Sequence, residues 1–105
     1  MIASARGMLK ALNLEVMKGP ATYNRDGLLS RHNSDFQQEP RFAQAYASGA
    51  ASGAWQGEQV QWRAHVVAWA AQNGLHLDGD FVECGVDRGG MASVIFEYTR
   101  FAEQN

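Results

Sequence analysis

The stretch "DGDFVECGVDRGGMASVI", residues 78–95, decides how the chain is read. Turn chemistry at Asp78, Gly79 and Asp80 leads into a short apolar run with Phe81, Val82, Cys84 and Val86. Bounded by a turn and a glycine loop, the run predicts a buried strand of a parallel sheet. Beyond the loop, Met91, Val94, Ile95, Tyr98 and Ala102 keep helical spacing. Strand, glycine loop and helix in this order bring a ligand to the carboxyl end of a strand and to the unpaired N–H groups of a helix start.

Spacing discriminates among the loops that bind nucleotides. Gly85 and Gly90 match the glycine frame of a P-loop, but Met91 and Ala92 stand where Lys and Ser/Thr would hold phosphates and Mg²⁺. The dinucleotide fingerprint G-x-G-x-x-G needs glycine two residues after Gly85, where Asp87 stands and would repel a pyrophosphate. What remains is Glu83-x-Gly85-x-x-x-Gly89, with a further glycine at Gly90. A sulfonium cofactor has no phosphate and carries a cationic centre and an amino group, so it tolerates a strand-end carboxylate at Glu83 and an acid in the loop. Gly85 lets the backbone come close to a ligand, and Gly89 or Gly90 allows the tight turn into the helix.

This pattern is similar to motif I of class I S-adenosylmethionine-dependent methyltransferases. "GDFVECGVDRGG" resembles in particular the macrocin-type sugar O-methyltransferase family. Upstream, "DGLLSRHNSDF", "PRFAQAY" and "WRAHVVAWAA" resemble the helical region that precedes motif I in bacterial members, so the likeness runs over about residues 23–100. It implies an α/β, Rossmann-like fold and S-adenosyl-L-methionine as cofactor. The cofactor-binding residues implied are Glu83, Gly85, Val86, Asp87, Arg88, Gly89 and Gly90. The implied reaction is O-methylation of a sugar or glycosylated small molecule. A divalent metal and a homo-oligomer are compatible with the complete enzyme; its metal-binding and general-base acids would follow motif I, so no catalytic residue is assigned in this chain.

Outward from motif I, the helical region over residues 1–79 is expected to hold helices at about 2–18, 40–52 and 58–73, with residues 80–105 forming the first, incomplete strand-loop-helix unit. Ile2, Ala5, Leu9, Leu12 and Val16 mark one face of the first helix, which is expected to dock on the rest of the domain, or else to form a dimer seam. Lys18, Gly19 and Pro20 stop it. Residues 21–39 mix turn formers with isolated apolar residues and read as an ordered loop. Pro40 suits the first position of the second helix. Gly49, Gly53 and Gly57 recur every fourth residue and read as a frayed helix end and loop. A broad apolar face, with Val60, Ala64, Val67 and Ala71 beside Trp62, Val66 and Trp69, marks the third helix, ended by a cap at Gly74.

Composition narrows the partners. The chain has 105 residues, 46% hydrophobic and 19% charged, with a formal net charge of -2. That is one small globular domain with no basic stripe for nucleic acid. A single cysteine and the absence of any long apolar run point to a cytoplasmic protein without a signal peptide or membrane span. The ribose-binding acid of such a site falls about 20 residues beyond the glycines, at the end of the next strand; from Gly85 that reaches Asn105, the last residue. A lone parallel strand leaves its edges unsatisfied. The chain therefore reads as the N-terminal fragment of a larger enzyme, inactive by itself.

Blander roles stand beside these. Glu83 can pair with Arg88 or Arg63, and Arg88 can touch the cofactor carboxylate or face solvent. Cys84 reads as a small buried strand residue. Trp62, Arg63 and His65 fall on different helix faces, and His32, Asn33 and Asp35 either line a site or stabilise turns. The alternative function is a small non-catalytic helical interaction module in which the glycine loop is only a structural turn.

Overall fold

The computed structural model describes residues 4–104. Its elements in chain order are α1 (Ala5–Ala11), β1 (Tyr23–Arg25), β2 (Leu28–Ser30), a 3₁₀ turn (Asp35–Gln38), α2 (Pro40–Ala51), α3 (Gln61–Gly74), α4 (Gly90–Tyr98) and a final 3₁₀ turn (Phe101–Glu103). The fold is mostly helical with one small antiparallel sheet, an arrangement compatible with a piece of an α/β protein.

α2 starts where its local chemistry dictates. Pro40 occupies the first turn, where its missing N–H costs nothing, and the Glu39 carboxylate accepts the N–H groups of Arg41 (3.1 Å) and Phe42 (2.7 Å). Phe42, Ala45 and Gly49 then face inward at steps of three and four. α3 supplies Ala64 and Ala68 and α4 supplies Val94, and these close a core ringed by Phe36, Tyr46, Trp55, Met91 and Tyr98. Phe42 is 2% exposed.

Small residues decide how the helices cross. α2 packs chiefly on α4, and only slightly on α3, its neighbour in sequence. A Cβ on Gly49 would lie 2.6 Å from the Trp55 ring and 2.8 Å from both the Gly90 carbonyl oxygen and Val94 Cγ2. Gly49 is thus part of a close helix contact, not of a frayed end. Gly53 and Gly57, by contrast, lie beyond α2 in turns with φ of +74° and +87°.

Arg41 ties the far end of this bundle. Its guanidinium lies 4.4 Å from the Tyr98 ring centroid, donates through Nε to the Tyr98 carbonyl (2.6 Å) and through Nη2 to Gln72 Oε1 (2.8 Å).

Further expectations change. Residues 80–86 form no strand: no ladder partner exists among the described residues, and the sheet that does form is β1 against β2, antiparallel, with Tyr23 opposite Ser30 and Arg25 opposite Leu28. The physical reason is that a strand is satisfied by neighbours, and this stretch has none.

The supposed loop at 21–39 contains this hairpin. Its two-residue turn, Asp26 and Gly27, has φ of +56° and +71° at the two positions, the primed geometry that suits the strand twist. Tyr23 is buried at its base, accepting the Trp62 N–H (3.3 Å) and meeting the Trp62 ring edge-on at 5.3 Å. Arg63 forms a two-pronged pair with Asp26 at its tip.

The first helix is short, and its face is undocked. α1 buries none of its residues, and Met8, Leu12, Leu14 and Val16 are exposed; Ile2, at the start of the predicted stripe, lies outside the described residues. The arm draws the chain out to 70 × 26 × 26 Å with a radius of gyration of 18.3 Å, against roughly 13 Å for a compact chain of this length. Finally, Gly74 is the last residue of α3 rather than a cap beyond it. A Cβ there would sit 2.8 Å from the Phe81 ring, so the glycine serves close approach.

Candidate functional site

The glycine loop at 83–90 takes its shape from three left-handed residues. Gly85 has φ of +72°, Asp87 +51° and Gly89 +76°. Glycine adopts this region freely, and aspartate is among the few other residues that tolerate it. The Gly89 N–H closes a turn on the Val86 carbonyl (2.9 Å), and the Gly89 carbonyl accepts both the backbone N–H and the hydroxyl of Ser93 (each 2.8 Å). Gly89 is therefore the N-cap of α4. The N–H groups of Gly90, Met91 and Ala92 follow it at the helix start, where no intrahelical acceptor is available.

Gly90 fixes this start against the bundle. It is buried, and a Cβ on it would fall 2.9 Å from Trp55 Nε1 and 3.0 Å from Ala54 Cβ. Arg88 adds a long contact, Nη1 at 3.4 Å from the Gly53 carbonyl oxygen, which draws its guanidinium toward the turn after α2. The helix start is rigidly placed by packing, while the loop before it is open: a Cβ at Gly85 or Gly89 would meet nothing within 4 Å.

The predicted site residues are adjacent in space as in sequence, but they form one wall only. Glu83, Gly85, Val86, Asp87 and Arg88 are exposed, Gly89 is half-buried and Gly90 is buried. Among the described residues Glu83 pairs with neither Arg88 nor Arg63; the Arg63 guanidinium is engaged by Asp26. Cys84 is exposed, which corrects the buried position expected of it. Without sheet neighbours on either side, nothing covers its side chain.

For a sulfonium amino-acid cofactor the donor set fits in kind. Free N–H groups at the α4 start suit a carboxylate, Glu83 suits an ammonium, and the bare backbone at Gly85 admits close contact. Among the described residues no three His, Cys, Asp or Glu side chains gather as a metal site. Among the described residues no helix is long and apolar enough to cross a membrane.

Other candidates resolve into structure. The Asn33 side chain accepts the Asp35 N–H (2.7 Å), the His32 N–H donates to Ser30 Oγ (3.0 Å), and Ser34 Oγ donates to the Thr22 carbonyl (3.0 Å). These bonds hold the turns after the hairpin. Trp62 and His65 do meet, but around Phe36. His65 stacks on that ring at 3.9 Å between centroids, and Trp62 meets it edge-on at 5.2 Å.

Burial among these rings pushes the His65 pKa down from 6.5. The hydrogen bonds from Arg63 hold the Asp26 carboxyl below its usual range.

Sequence spacing does not signal one polar cleft, because its lining comes from separate elements. Arg41, Gln72, His76 and Arg100 surround it where the C-terminal ends of α3 and α4 converge. Comparison with protein-family models, with curated proteins and with solved structures finds no match to this chain.

Proposed function

We propose that residues 83–90 are the cofactor loop of an S-adenosylmethionine-dependent methyltransferase, of which this chain supplies the N-terminal part of a Rossmann-like fold. The observation that carries the reading is the left-handed N-cap at Gly89, which turns the end of an unpaired apolar stretch straight into a helix start pinned by Gly90. Exposure of Phe81, Val82 and Val86 supports it further, since these side chains and their backbone suit the middle of a larger parallel sheet.

The roles follow from chemistry. The N–H groups of Gly90, Met91 and Ala92 bind the cofactor carboxylate, helped by the positive end of α4. Glu83 attracts the amino group, and Gly85 gives the backbone room to approach. When bound, S-adenosylmethionine supplies an electrophilic methyl group for in-line attack by an acceptor oxygen. The chain's own part is to orient that group, and the 105 residues alone are expected to show no turnover. A sugar-like acceptor rests on the family resemblance.

A second reading, a non-catalytic helical interaction module, is favoured by one observation: the α2–α3–α4 core closes without residues 80–86. Calorimetric titration with S-adenosylmethionine separates the two, carried out on the longest natural protein that contains this sequence. Binding that is lost in Gly85→Val, with helical circular dichroism retained, supports the cofactor loop. Equal affinity in both proteins removes the role assigned to the loop, and no binding in either favours the module.

A further inference from the structure

The turn that joins α2 to α3 is held by its own hydrogen bonds. Ser52 Oγ donates to the Gly49 carbonyl (2.6 Å) and accepts the Ala54 N–H (3.1 Å). The Gln56 N–H donates to the Gly53 carbonyl (3.3 Å), and the Glu58 N–H to the Trp55 carbonyl (2.8 Å). Local chemistry thus fixes where the Trp55 side chain leaves the backbone.

Trp55 spans the two helices that meet here. Its Cη2 lies 2.6 Å from the point a Gly49 Cβ would occupy in α2, while Nε1 and Cε2 lie 2.9 and 3.0 Å from the corresponding point at Gly90 in α4. The indole also stacks on Tyr46, with 5.1 Å between centroids and 27° between planes. Tyr46 is itself anchored, since its hydroxyl accepts the Val60 N–H (3.0 Å). The same turn reaches the glycine loop through the Gly53 carbonyl, which faces Arg88 Nη1 at 3.4 Å.

We infer that Trp55 is the positioning residue for the start of α4, and through it for the amino-acid end of the cofactor. The inference rests on the reading of residues 83–90 as a cofactor loop. The N–H groups of Gly90, Met91 and Ala92 follow the direction of the first turn of α4, and on its bundle side that turn leans on the indole and on Ala54 Cβ. The loop before it gives no such support, because residues 83–88 are exposed. A smaller side chain at position 55 leaves a gap into which the turn can shift. A ligand group held by several donors loses affinity steeply when they move by a fraction of an ångström. Only the cofactor's carboxylate uses these donors, so the effect is confined to the amino-acid end.

Two ligands read that difference. S-adenosylhomocysteine carries the amino-acid tail, methylthioadenosine lacks it, and both are neutral at sulfur. Calorimetric titration of the longest natural protein that contains this sequence gives the ratio of their affinities, which a general loss of stability does not change. Trp55→Leu should weaken S-adenosylhomocysteine about tenfold and methylthioadenosine by less than about twofold. Trp55→Phe keeps a ring on Tyr46 but shortens the edge that meets Gly90, so it should show the same selectivity at smaller size, and it carries the test if the leucine variant does not fold. Equal weakening of the two ligands by Trp55→Phe, or no change in either, overturns the inference and leaves the cofactor loop standing. A wild-type protein that binds neither ligand overturns the loop reading, and this inference with it.

Discussion

Gly90 and Gly85 stand five positions apart and owe their glycine to opposite causes. At Gly90 a side chain has no room, because Trp55 and Ala54 already occupy the space, whereas Gly85 has open space and a backbone that other residues enter at a cost. The same contrast separates the α2–α3–α4 body, set by side-chain packing, from residues 77–89, set by turn geometry and left uncovered. In this molecule a glycine count says little until each one is assigned to packing or to conformation.

Substitution tests that division directly. Gly90→Val, and likewise Gly49→Val, forces Trp55 and the facing helix apart; the loss should be about 1–3 kcal/mol or more, read as a lower urea midpoint. A smaller loss, about 1–2 kcal/mol, is expected for Gly85→Ala, because only the left-handed backbone penalty applies. Equal losses at the two positions would erase the distinction.

The smallest effect concerns pH. His65 is held neutral by burial, so its folded pKa lies below its unfolded value of 6.5, and the unfolded chain binds the proton more readily. Stability from this residue is complete above pH 6.5 and falls as the pH drops through that value toward the lower folded pKa. His65→Phe should flatten the dependence of melting temperature on pH in that window. An unchanged profile would show that the Phe36 stack does not exclude water from the imidazole.

What was legible in the sequence was whatever depended on local pattern. α2 and α3 follow from Pro40 and from apolar spacing, and α4 from the run after Gly90, because helices satisfy their backbone internally. The hairpin carried a readable signal as well. Asp26-Gly27 between two short runs is a strong hairpin turn, but Tyr23-Asn24-Arg25 and Leu28-Leu29-Ser30 are too short to show alternation, so the segment read as a loop.

Other features were not legible because they depend on partners. Residues 80–86 have strand composition, but only a neighbouring strand could make them one. The stripe from Ala5 to Val16 has the spacing of a docking face, yet spacing does not supply the surface to dock on. In the candidate site, the glycine pair anticipated the tight turn into α4 at Gly89, while the left-handed conformation of Asp87 was not foreseen and the clamp of Gly90 between Trp55 and Gly49 required the tertiary structure.

The close approach of α2 to α4 also bears on how the chain reaches its native state. A close helix contact joins Gly49 to Gly90, across a segment that contains all of α3, so the consecutive pair α2 and α3 supplies little of this core. Some forty residues of chain must be closed before the contact repays its entropy. The packing of the α4 start against α2 waits on that closure. Lesions in α2 would reach it kinetically, by delaying the moment at which α4 acquires a floor.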